Sequence, residues 1–187
     1  MLDNTLISAV LEKKHWAFTI FYNEVVDHFY SYLKANFSIS ETEMQDIISN
    51  TFIKIWNNSD NFDAEKWNFN SWIWTILRNT TKDFFKKRKD FLFSDFEYTN
   101  SDWETMKLED TIQDETDNLD VLENDYKLEQ IKKAMENLKL PERELIYLRY
   151  TEWKSLKEIA NIVWLEEWNV RVKLHRTMAK LKKYLQN

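Results

Sequence analysis

The chain has 187 residues and not one glycine. At an average usage of about 7% roughly a dozen would be expected, so the absence is systematic. It bears on every tight turn. Helices joined by short turns usually end on a residue at positive φ, a position glycine dominates because it has no Cβ to clash. The segment KSLKEIANIVWLEEWNVRVKLHR, residues 154 to 176, sets two helical patterns on either side of such a turn and fills it with Trp164 and Trp168.

Elsewhere the apolar residues fall at helical spacing. Phe18, Phe21, Tyr22, Val25, Val26, Phe29, Tyr30 and Leu33 recur at steps of three and four, the stripe of a core-facing helix. A second helix opens near Glu41, with Ile47, Ile48, Phe52, Ile55 and Trp56 inward and Asp46, Ser49, Asn50 and Lys54 toward the polar side. Residues 57 to 71, rich in Asn, Asp and Ser, predict a loop. A third helix is expected from about Phe69 to Lys89, with Trp72, Ile73, Ile76 and Leu77 inward and Arg78, Lys82, Lys86 and Lys87 outward. The periodicity of Phe52, Ile55, Trp56 and Trp72 assigns them to the core rather than to a binding surface.

From Asp90 to Asp125 acids accumulate with Lys107 as the lone base, which predicts a linker in which Phe91, Phe93 and Phe96 dock locally. Beyond it, Ile131, Met135 and Leu138 mark a short helix. LPERE restarts one with Pro141 at its first position and acids in the first turn. Ser155 and Glu158 form an S-x-x-E capping box ahead of Leu156, Ile159, Ala160 and Val163. After the turn, Val170, Leu174, Leu181 and Leu185 are the buried stripe of a last helix whose other faces carry Arg171, Lys173, His175, Arg176, Lys180, Lys182 and Lys183. Two short helices on a tight turn, the second basic, describe a helix-turn-helix.

Composition narrows the function. Without cysteine there is no disulfide, thiolate metal site or cysteine nucleophile. His15, His28 and His175 are far apart and show no ligand spacing, so no metal, cofactor or catalytic group is expected and an enzyme reading is weak. The N-terminus has no signal-peptide pattern and no segment is apolar enough to span a bilayer, which predicts a soluble cytoplasmic protein without membrane insertion. The net charge of -6 hides an asymmetry: bases gather in residues 78 to 89, where KKRK alone would be an ordinary solvated helix end, and from Arg171 to Lys183.

With both halves read, the chain resembles the bacterial RNA polymerase sigma factors of the extracytoplasmic-function type, which keep regions 2 and 4 of the sigma-70 family. EMQDIISNTFIKIWNN resembles the region 2 helix that docks on the polymerase β′ clamp. FNSWIWTILRNTTKDFFKKRK is similar to the helix that opens and reads the -10 element, and residues 140 to 185 to region 4, which binds the -35 element. The resemblance implies an all-α protein of two small helical domains, residues 1 to 90 and 127 to 187, on an acidic linker, 91 to 126. It implies core RNA polymerase (β′ clamp and β flap) and promoter DNA as partners, with an anti-sigma factor common in the family. By the same resemblance Asp46, Ser49, Asn50 and Lys54 contact the polymerase. Phe62, Phe69, Arg78, Asn79 and Lys82 lie at the -10 element, and Asn169, Arg171, Lys173 and Arg176 at the -35 element. Exposed aromatics and amides that hold an unstacked base, backed by cations on the phosphates, suit duplex opening. Ser49 and Asn50 depart from a polar-acidic pair common in the docking helix, and Glu166 puts an acid where a small cap is usual. A stand-alone helix-turn-helix regulator is the alternative, and a helical interaction protein without nucleic acid the third.

The family pattern has glycine where this chain has Trp164 and Trp168, and glycine is common at the position of Trp153. It would also suit Trp67 and Trp16, whereas Trp56 and Trp72 stand where the family often has tryptophan. Trp74 and Trp103 fit neither group. The missing glycine and the surplus of tryptophan, 9 residues, are thus read as one fact. A gene that reads UGA as glycine, translated with tryptophan, is the expected source, with Trp16, Trp67, Trp153, Trp164 and Trp168 at UGA codons and Trp56 and Trp72 at UGG; a deliberate glycine-free recoding is the rival. Trp164→Gly and Trp168→Gly are both expected to raise stability and -35 binding.

Overall fold

The computed structural model describes residues 2–88 and 125–186. The regular elements among its described residues are all helices, without a strand, as the all-α reading expected. The expected linker, with Phe91, Phe93, Phe96 and Trp103, lies outside them.

The N-terminal half begins with a helix the periodicity did not predict, α1 (Asn4–Leu11), capped by the Asp3 carboxylate on the Thr5 N–H and burying Ala9 and Val10. Then come α2 (His15–Asn36), α3 (Glu41–Asn58) and α4 (Phe69–Arg88), with a single 3-10 turn at Ser59–Asn61. Ser40 opens α3 with a capping box: its hydroxyl accepts from the Glu43 N–H while the Glu43 carboxylate accepts from the Ser40 N–H at 2.8 Å. Phe52 of α3 is the hub of this core, its ring meeting Phe18, Phe21, Tyr22 and Phe29 of α2. Trp74, unassigned from sequence, is buried, with Phe29 and Tyr32 at 5.4 Å on its edges.

The C-terminal half comprises α5 (Asp125–Glu136), α6 (Leu140–Ile146), α7 (Leu156–Val163) and α8 (Glu167–Gln186). Pro141 is the second residue of α6 rather than the first, a place that equally needs no N–H. Tyr147–Thr151 continue α6 as a wider π turn. The Ser155 and Glu158 capping box forms as expected. α5 and α6 pack on α8, and α7 packs both on α8 and across onto α4.

Among the described residues three helix ends close through a left-handed residue, and no glycine supplies any of them: Lys13 (φ 57°), Trp153 (φ 51°) and Trp164 (φ 61°). At each, the N–H beyond the left-handed turn reaches back: Lys14 to Ala9 carbonyl, Lys154 to Leu148 carbonyl, Leu165 to Ala160 carbonyl. The left-handed backbone that would make glycine favourable is therefore found at Trp164, and also at Trp153, where only the resemblance had favoured glycine. It is absent at Trp168, which lies in the first turn of α8 with negative φ, so glycine there would relieve nothing, contrary to expectation. Trp16 sits in the first turn of α2, and the strained residue nearby is Lys13 instead.

Candidate nucleic-acid interface

α3 is two-faced. Ile47, Ile48, Phe52 and Ile55 are buried, while Asp46, Ser49 and Asn50 lie exposed together, the Asn50 amide donating to the Asp46 carbonyl at 2.8 Å. Lys54, expected on the same polar strip, is drawn sideways to Asp83 of α4 at 2.8 Å.

The residues expected at the -10 element divide. Asn79 is exposed and Lys82 half-buried on α4. Phe62 is half-buried against Trp72 and Phe69, and Phe69 is buried against Phe21, so Phe69 anchors the loop to the core. Arg78 is a correction. It was expected outward with Lys82, Lys86 and Lys87, yet its side chain is only 3% exposed. Its Nε donates to Glu144 Oε1 at 2.7 Å, and the Tyr32 hydroxyl donates to the same oxygen at 2.8 Å. A buried guanidinium is tolerated only when a carboxylate meets it, and α6 brings that carboxylate. The sequence did hold a signal: Ser71, Trp74, Arg78, Thr81 and Phe85, spaced by threes and fours, form one buried stripe of α4.

At the expected -35 surface, Arg171 and Arg176 are half-buried and His175 exposed. Asn169 and Lys173 are buried, each 9% exposed, and Asn169 Oδ1 has no hydrogen-bond partner among the described residues. Arg171 lies 3.8 Å from Glu167, and Glu166 is exposed at the turn.

Lys154 was not singled out by sequence reasoning. It is buried, donates to Asn70 Oδ1 at 3.0 Å, and holds its ammonium 5.5 Å from the Trp74 ring. Burial lowers its pKa, against the opposing pull of Glu152 and Glu158. Nearby, Glu152 accepts from the Tyr147 hydroxyl at 3.1 Å and pairs with His28 at 3.1 Å. The described residues contain no cluster of His, Asp or Glu suited to a metal, and no helix among them is long and apolar enough to cross a membrane.

Residues 21–91 match the family description "Sigma-70 region 2" and residues 132–183 match "Sigma-70, region 4". The ECF RNA polymerase sigma factor SigW of Bacillus subtilis is 31% identical over 150 residues, covering 78% of this chain and 76% of that protein. The chain belongs to the ECF RNA polymerase sigma factors. The RNA polymerase sigma factor NccH of Alcaligenes xylosoxydans xylosoxydans is 27% identical over 154 residues, 81% of this sigma factor and 78% of that one. Two solved structures share the fold. CnrH in complex with the cytosolic domain of CnrY superposes with a TM-score of 0.67 at 19% identity, over 98% of this chain and 97% of that one. The sigma factor RpoE from Bartonella quintana, in complex with the anti-sigma factor NepR, gives 0.61 at 22%, over 90% and 96%. In this sigma factor, then, the α4 residues matched to region 2 and the α6 and α7 residues matched to region 4 lie against each other.

Proposed function

We propose that this ECF sigma factor directs core RNA polymerase to promoters by using three separate surfaces. Asp46, Ser49 and Asn50 of α3 dock on the β′ clamp. Asn79 and Lys82, with Phe62 and, once released, Arg78, hold the -10 strand. Arg171 and Arg176, on the helix that also carries the more buried Asn169 and Lys173, read the -35 duplex while the same half seats on the β flap. Residues 1 to 90 and 127 to 187 act as two domains on the linker 91 to 126. Phe69 keeps the loop in place rather than touching DNA, and Lys54 braces α3 on α4. The factor supplies recognition and strand opening in the cytoplasm and leaves the chemistry to the polymerase. Because CnrH and RpoE are each seen in complex with a second protein, RpoE with an anti-sigma factor, a regulator of that kind is also proposed here.

The observation that carries the reading is the order of the two matches in one chain, region 2 then region 4. A stand-alone regulator has no use for the first. The test is co-purification of the full chain with core RNA polymerase, comparing wild type with Asp46→Arg. Retention lost in the variant supports the docking face; failure of the folded wild type to bind core polymerase would leave the helix-turn-helix regulator as the reading.

A further inference from the structure

We propose that the free factor locks itself shut, with the C-terminal half lying on the -10 helix, and that Glu144 is the latch. This rests on the sigma reading above. The Glu144 carboxylate takes both the Arg78 guanidinium of α4 and the Tyr32 hydroxyl of α2. The pair is almost wholly buried, 3% and 5% exposed. Lys154 reaches across the same boundary to Asn70, and Arg143 Nη2 donates to the Asn36 carbonyl at 3.2 Å.

Rings cross the boundary too, Tyr32 meeting Tyr147 at 5.7 Å and Trp67 meeting Trp164 at 5.4 Å, so the ion pair sets how the halves dock rather than supplying all of their attraction. A permanent interface gains most from apolar burial, whereas a buried ion pair about repays its own desolvation and mainly fixes orientation. Once the halves part, water solvates Arg78 and Glu144, and opening costs little net electrostatic energy. The contact also occupies a group expected at the -10 strand, since the Arg78 guanidinium is held by the Glu144 carboxylate. Meanwhile Asp46, Ser49 and Asn50 stay exposed. The closed chain can therefore meet polymerase while Arg78 is still withheld from DNA.

The chain lacks cysteine, so dyes can be placed on Asn57→Cys of α3 and Ala179→Cys of α8, both exposed positions. Energy transfer in the free full-length protein should report one short-distance population. Glu144→Leu, which strands the guanidinium, should shift it to long distances, and adding Arg78→Leu should bring it back by restoring an apolar match. Tyr32→Phe strands no charge and should raise the open fraction about fivefold, the worth of one net hydrogen bond. A wild type already at long distance, or variants that stay short with helicity intact, overturns the latch. Core RNA polymerase should convert the wild type to the long-distance form; bound polymerase with the short distance kept also overturns it. If the polymerase does not bind at all, the sigma reading fails, and the free-chain distances still decide the latch.

A different observation carries a second inference. We infer that residues 153 and 164 are glycine in the protein its own cells make. Both adopt left-handed backbone, and both indoles are mostly exposed, 81% and 60%, Trp164 meeting Trp67 at 5.4 Å. Trp74 is the opposite case, buried between Phe29 and Tyr32, while Trp56 stacks on His15 and Trp72 packs on Phe62. Lys13 shows that a flexible side chain can hold such a cap, so the inference concerns the tryptophans alone. The test is peptide mass spectrometry of the protein from its native cells, set beside the codons. Glycine at 153 and 164 from UGA, with tryptophan at 56, 72 and 74 from UGG, is expected. Tryptophan found at either 153 or 164 overturns it.

Discussion

Trp153→Gly isolates the cost of making a glycine-free turn. Trp153 sits at φ 51°, directly after the π turn, and is 81% exposed. Denatured chains already cover about 10–40% of their surface, so so exposed an indole gains no burial on folding and none is lost with it. What remains is backbone. A non-glycine residue in left-handed geometry costs about 1–2 kcal/mol, from which the extra freedom of an unfolded glycine takes back about 0.4–1 kcal/mol. The variant should therefore gain roughly 0.5–1 kcal/mol, a rise in Tm of about 1–4 °C for a chain of this size. Urea melts and calorimetry read both quantities. Trp153→Ala is the control, because it removes the indole but keeps the Cβ, and it should gain nothing from the backbone. An unchanged or lower Tm in Trp153→Gly, or an equal rise in both variants, refutes the strain argument. At Trp164 the same relief is partly offset, since its ring meets Trp67 at 5.4 Å and such pairs contribute about 0.5–1.5 kcal/mol.

Trp168→Gly should lower stability by up to about 1 kcal/mol, because it puts glycine inside the first turn of α8; a raised Tm in thermal melts would contradict the helix assignment. Phe52→Ala removes the hub ring of the N-terminal core and should cost about 3–5 kcal/mol, read as a lower urea midpoint; a loss below 1 kcal/mol is incompatible with that packing. Burial, then the nearby Glu152, raises the Tyr147 pKa, so the folded chain holds this proton more tightly than the unfolded one. Its contribution is complete below the ordinary tyrosine pKa of about 10 and is lost as pH rises beyond it, so Tyr147→Phe should resist alkaline unfolding to higher pH. An alkaline midpoint that does not move would show the phenol is not the group responsible.

Much of the fold was legible because helices are decided locally. The stripes of α2 and α3, the start of α4 at Phe69 and the Ser155–Glu158 cap all depend on neighbours three or four residues apart. The left-handed end at Trp164 was legible for the same reason, since a turn's backbone follows from the helix it terminates, whereas Trp168, expected to share it, is helical. α1 escaped notice because it is short and buries only Ala9 and Val10 deeply.

The candidate site was less legible, and Arg78 shows why. Its number in α4 says that it is helical, and its chemistry says that it is cationic. Whether it faces solvent or a carboxylate depends on Glu144, 66 residues away, and on how α6 docks. Lys154 and Asn70, 84 residues apart, pose the same problem. The sequence by itself determined the helices other than α1, the Ser155 cap and which segments resemble polymerase- and promoter-binding regions. Only the tertiary structure decided that a buried ion pair joins the two halves beside their ring contacts, because desolvation makes the fate of a charged side chain depend on the partner that docking brings to it.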